Sequence, residues 1–169
     1  MWTIRYNREN EAKTLKGQNM ELTAGKDLTL DLMMHHKLYS WFFKWNHAKL
    51  QHGRCHHGPK MITLSKHFVN LNDVNSITQT ILHEIAHALV GPGHGHDYMW
   101  RIKAREIGVK RPTPAKHSNM PAFRYTASCP KCGPLRGSGK HRLSKRHNFT
   151  CVRCNSEIIW KDTKDLVLN

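Results

Sequence analysis

The residues best able to do chemistry lie in one stretch, His83-Glu84-Ile85-Ala86-His87, followed by Gly91-Pro92-Gly93-His94-Gly95-His96. On a helix, His83 and His87 emerge one turn apart on the same face. Two neutral imidazoles so placed can share one Zn²⁺ at about 2.0–2.1 Å. Glu84 projects beside the metal, where its carboxylate can take a proton from water held there. A catalytic zinc needs three protein ligands and an open position, so a third ligand must come from further along the chain.

The surrounding sequence supplies the element that would position this pair. Ile77, Ile81, Ile85, Ala88 and Leu89 form an apolar helical face, and Asn75 or Ser76 can cap it. Gly91-Pro92-Gly93 stops the helix where the chain must turn back toward the metal. The chain has 14 His, so a chance match has to be weighed. A helix whose histidines are merely buried would leave Glu84 unexplained on a largely apolar element. For the third ligand, a metzincin arrangement is excluded, because Val90 and Gly93 stand where Gly and His are required. A carboxylate on a following helix would be Glu106, and His96 opens that same stretch in His96-Asp97-Tyr98-Met99-Trp100.

At this point the chain resembles the SprT-like (Spartan-type) zinc metallopeptidases. The resemblance rests on the helical motif, the glycine-containing turn and the His-x-x-x-Trp element. It extends upstream through Gly53-Arg54-Cys55, Met61-Ile62-Thr63-Leu64-Ser65 and Thr80-Ile81-Leu82, and downstream to Ile107-Gly108, covering roughly residues 28 to 110. It implies that His96 is the third ligand of a catalytic zinc with His83 and His87, and that Trp100 packs under the site. It also implies a zinc metalloendopeptidase acting on proteins at or crosslinked to DNA. The chain departs from the pattern in carrying His94 two residues before the expected ligand, so His94 and Glu106 remain rivals to His96.

A second metal module is legible further on. Cys129-Pro130-Lys131-Cys132 and Cys151-Val152-Arg153-Cys154 are two Cys-x-x-Cys pairs with 18 residues between them. Each such turn presents two thiolates to a tetrahedral ion, and two turns close its shell, as in a structural zinc ribbon. Disulfides or redox dithiols are the competing reading, and an intracellular setting disfavours them. Cys55 stands apart and reads as a small buried hydrophobe.

Charge is unevenly spread. Between Arg101 and Thr150 there are 13 Lys or Arg and one acid, which accounts for 12 of the formal net charge of +15. The ribbon loop containing Lys140, Arg142, Lys145 and Arg146 is basic and suits a phosphate backbone, single-stranded or junction-containing DNA being the partner favoured by the resemblance. A solvated loop that only aids solubility is the plainer alternative. No apolar run approaches the ~20 residues that span a bilayer. The first residues lack the apolar stretch of a signal peptide, so a cytoplasmic location is expected.

These features predict an α+β chain: a small zincin-type metallopeptidase domain, with a three-stranded sheet packed on the active-site helix, plus a C-terminal zinc ribbon held by four cysteines. The expected layout is an N-terminal mobile segment at 1–27, the catalytic domain at 28–111, a linker at 112–122, the ribbon at 123–160 and a tail at 161–169. Within it, Leu28, Leu30, Leu32, Met33 and Leu38 suggest a helix through Tyr39, and Trp41–Trp45 a strand. Gln51–His57 and Met61–Ser65 read as strands joined through Gly58-Pro59, with a second helix at His96–Ile107. His35, His36, His56 and His57 read as ordinary polar positions. The alternative function is a non-catalytic nucleic-acid-binding adaptor that keeps the same scaffold, though Glu84 would then have no use.

Overall fold

The computed structural model describes residues 20–110, 119–140 and 149–163. The chain divides after Met120 into two compact units, Met1–Met120 and Pro121–Asn169.

In the first unit, helix α1 spans Leu22–His35 and buries Gly25, Thr29 and Met33, a stripe at helical spacing. It therefore starts six residues before the expected Leu28 and stops short of Tyr39. The expected mobile segment is corrected in its last part, since Met20 is buried in the core and Gly25 packs on Val69 and Trp45. Three strands follow: β1 (Phe42–Asn46), β2 (Gly53–His56) and β3 (Met61–Ser65). They form a sheet of order β1-β3-β2, with β1 parallel and β2 antiparallel to β3. The central strand β3 is the buried one, Ile62 and Leu64 being fully enclosed.

Ser65 ends β3 and accepts from the Phe68 N–H, starting the short helix α2 (Lys66–Leu71). Helix α3 (Val74–Val90) is capped by Asp73, whose carboxylate takes the Ser76 N–H at 2.9 Å and the Ser76 hydroxyl at 2.7 Å. The cap is thus Asp73 rather than Asn75 or Ser76. Ile77, Ile81 and Ile85 are fully buried against the sheet, which fixes the rotation of α3. Gly91, with φ 85°, ends the helix in a conformation that a side chain would strain. Helix α4 (Tyr98–Glu106) is capped by Asp97 through the Trp100 N–H at 2.9 Å. Its end is pinned to α3: Gln79 accepts the Lys110 N–H and donates to the Gly108 carbonyl. Asn119 closes the unit by exchanging hydrogen bonds with Asn72.

The second unit is a sheet of order β5-β4-β6, built from β4 (Tyr125–Cys129), β5 (Gly133–Lys140) and β6 (Ile159–Asp162), all antiparallel. Arg124 Nε pairs with Asp162 Oδ2 at 2.9 Å across its edge. Among the described residues, no helix is long and apolar enough to cross a membrane.

Candidate metal centre

Helix α3 carries His83 and His87 one turn apart, and the Gly91–Asp97 turn brings His96 back to them. The Nε2 atom of His96 lies 2.9 Å from that of His83 and 3.2 Å from that of His87. Three nitrogens on a tetrahedral zinc at 2.0–2.1 Å would sit about 3.3 Å apart, so the set fits such an ion closely. Burial pushes the His83 ring down to about 3 and the His87 ring down to about 4, helped by the neighbouring histidines. Both are therefore neutral near pH 7, the form that ligates a metal. His87 also hydrogen-bonds the backbone of His94 in a way that raises its basicity. A backbone group with that effect is an accepting carbonyl, which takes the ring N–H and leaves Nε2 free for an ion.

The floor of this site is one side chain. Trp100 is fully buried, and its indole lies 4.7, 5.1 and 4.5 Å from the rings of His83, His87 and His96. It packs with Ala86 and Ala104 in a small cluster between α3 and α4. The two rivals for third ligand are engaged elsewhere. His94 Nδ1 pairs with Asp97 Oδ2 at 2.6 Å, and Glu106 Oε2 pairs with Lys103 Nζ at 2.6 Å. Among the described residues, the sets of three or more converging ligand atoms are His83–His87–His96 and Cys129–Cys132–Cys151–Cys154, each within 4.8 Å.

Glu84 is buried under β2 at 8% exposure. Desolvation pushes its carboxyl up to about 7, against the opposing pull of the Cys55 backbone N–H and the Arg54 charge. Room for it comes from Gly53, where a Cβ would stand 3.1 Å from Glu84 Cγ and 2.8 Å from Leu64 Cδ2. Sequence reasoning drew Gly53 and Cys55 only from a family pattern. Their physical task, a bare backbone and one N–H laid over a carboxylate, needs the β2–α3 contact to be seen.

The four cysteines of the second unit also converge. Sγ of Cys154 lies 3.4 Å from those of both Cys129 and Cys132, where four thiolates on one zinc would be about 3.8 Å apart. Backbone bonds between Cys151 and both Asn155 and Ser156 shape the second knuckle, and Gly133 (φ 82°) follows the first. Burial hides Cys129 and Cys151. Lys140 ends β5, whereas Arg142, Lys145 and Arg146 lie outside the described residues.

The α+β domain thus presents three imidazoles, from a helix and the turn after it, that could hold a metal ion, with a buried carboxylate next to the first of them in sequence. A family model described as the SprT-like family matches residues 17–122, and the chain belongs to that family. No curated protein and no solved structure matches it.

Proposed function

We propose that the chain is a zinc-dependent metalloendopeptidase of zincin fold that acts on proteins at or crosslinked to DNA. The observation that carries this reading is the pairing of three convergent imidazoles with a carboxylate buried beside them at the sheet edge. His83, His87 and His96 would hold the catalytic zinc, which when bound acidifies water and polarises a carbonyl. Glu84 takes the proton of the attacking water as the new C–O bond forms, and delivers it to the amine as the C–N bond breaks. The outer edge of β2, which no other strand pairs with among the described residues, offers an extended substrate a strand to pair with. A second, structural zinc held by the four cysteines would fold the ribbon, whose basic loop at Lys140, Arg142, Lys145 and Arg146 anchors DNA. A cytoplasmic location suits this pairing of free thiols and a nucleic-acid partner.

A zinc-loaded chain should cleave a protein attached to single-stranded DNA, and a chelator should stop it. Glu84→Gln should abolish cleavage while its two zinc ions stay bound. Retained cleavage in that variant would refute the mechanism. DNA binding without proteolysis by the wild type would instead favour the adaptor.

A further inference from the structure

Helices α1 and α3 both pack on the same side of the first sheet. Ile62 and Leu64 of β3 join the α3 stripe of Ile77, Ile81 and Ile85, while Trp45 and Gly53, the register partners of Leu64, meet Gly25 of α1 and Glu84 of α3. Side chains alternate along a strand, so the residues between these point the other way.

The register sorts that other face into two cross-strand rows. One is Phe42–Met61–His56, a phenyl ring, a thioether and an imidazole. The next is Lys44–Thr63–Arg54, two cations flanking a hydroxyl. Phe42 is 68% exposed, and Lys44 and Arg54 are exposed with it. Neither cation is in an ion pair among the described residues, and none of the β1, β2 and β3 positions on this face is acidic. The centre is low and already satisfied. Thr63 is buried, and its hydroxyl donates to the Arg54 carbonyl at 3.4 Å and meets His56 Nε2 at 3.3 Å, which ties the imidazole down over the sheet.

Two cations without a counter-charge call for an anion, and a neighbouring row of rings calls for flat apolar groups. Strands lie about 4.8 Å apart, so Phe42 and His56 stand about 9–10 Å from one another across Met61, with the cationic row about 6.7 Å further along the strands. A polymer with charge along one side and planar rings along the other meets both demands. A lipid surface instead favours several protruding apolar side chains, and Phe42 is the one large exposed apolar residue of these three strands.

We propose that this open sheet face is a docking platform for single-stranded nucleic acid, its bases stacking on Phe42 and His56 and its phosphates held by Lys44 and Arg54. Strand β2 then lays Gly53 against Glu84 on one face and Arg54 against a phosphate on the other. The platform goes beyond the ribbon-loop anchor proposed above and does not depend on hydrolysis.

The test is binding of a short fluorescein-labelled oligothymidylate to the zinc-loaded full chain, read by anisotropy over a salt series. Lys44→Gln with Arg54→Gln should weaken binding and flatten the salt slope by about 1.4 units, each phosphate contact on a single strand being worth about 0.7. Phe42→Ala should weaken it about 5- to 140-fold with the slope unchanged. Both losses should persist when Arg142, Lys145 and Arg146 are already neutralised, which separates this face from the ribbon loop. Lys26→Gln with Lys37→Gln removes the same charge from exposed positions on α1 and the turn after it, and should leave binding nearly unchanged. Photocrosslinks from 4-thiothymidine in the oligomer should map to Phe42, His56 or Met61.

Equal effects from the two double variants would overturn the assignment, as would wild-type affinity in Phe42→Ala or crosslinks confined to the second unit. Phosphatidylserine vesicles that bind the wild type, fail to bind the Lys44/Arg54 variant and are not displaced by oligothymidylate would make the face a lipid surface and overturn it too. Oligothymidylate bound here by a chain that cleaves no protein would uphold the platform and refute the hydrolase reading alone.

Discussion

Gly53→Ala is the most telling small perturbation, because it adds a single methyl group where β2 crosses Glu84. The new methyl would lie 2.8 Å from Leu64 Cδ2, 3.1 Å from Glu84 Cγ and 3.1 Å from the Thr63 carbonyl oxygen. Leu64 is fully buried and the Thr63 carbonyl is backbone in the central strand, so neither yields cheaply. The strain resolves by lifting β2 or by displacing Glu84, and overpacking of this kind costs about 1–3 kcal/mol. At ~4–8 °C per kcal/mol for a domain of this size, Tm should fall by roughly 4–24 °C. A shift of Glu84 by ~1 Å should also lower kcat about 10²-fold. Zinc content should hold, because no ligand is touched. Gly58→Ala is the matched control: nothing lies within 4 Å of its added Cβ, so its Tm should move by no more than a few degrees. Thermal melts and peptide turnover on the two variants decide the matter. If Gly53→Ala melts and turns over like Gly58→Ala, the close packing of strand on carboxylate is not what positions the base.

Cys132→Ser should reduce metal content from two zinc ions per chain to one, read by elemental analysis, with the remaining ion held by the histidines. Acid should weaken the first unit through the cap of α3. Burial tends to raise the Asp73 carboxyl, but hydrogen bonds from Ser76 outweigh it and hold the group below the usual carboxylate range. A depressed folded-state pKa contributes stability that is present above the unfolded value of ~3.9 and is lost as pH falls through the folded one. Urea melts below about pH 4 should therefore show a steeper loss in wild type than in Asp73→Asn. Neutralising Arg142, Lys145 and Arg146 together should weaken DNA binding and flatten its salt dependence by up to about three units, measured by fluorescence anisotropy. Cleavage of a small peptide without DNA should be unchanged.

Helix α3 was legible because its buried stripe, Ile77, Ile81 and Ile85, is written in large aliphatic residues. Helix α1 was misplaced at both ends for the opposite reason. Its buried face is Gly25, Thr29 and Met33, and only the last looks like core. A glycine and a threonine can sit there because Val69 and Trp45 fill the space around Gly25 and the Thr29 hydroxyl bonds the Gly25 carbonyl at 2.7 Å. The converging histidines and cysteines were readable from local spacing, with His96 chosen by resemblance rather than by geometry. Asp73 was missed as a cap because the polar run Asn72-Asp73-Val74-Asn75-Ser76 offers several equivalent candidates.

The three imidazoles come from one stretch of fourteen residues, His83 to His96, whereas the surroundings of Glu84 are brought from Gly53 and Cys55, some thirty residues upstream. Local contacts close faster than distant ones, because less chain has to be ordered before they form. A helix and its turn can thus gather a metal ion while the sheet is still undocked. On the proposed zinc-hydrolase reading, loading and competence would be separate events in the life of the chain: the ion would arrive early and help the fold along, and Glu84 would be set only when β2 settles over it.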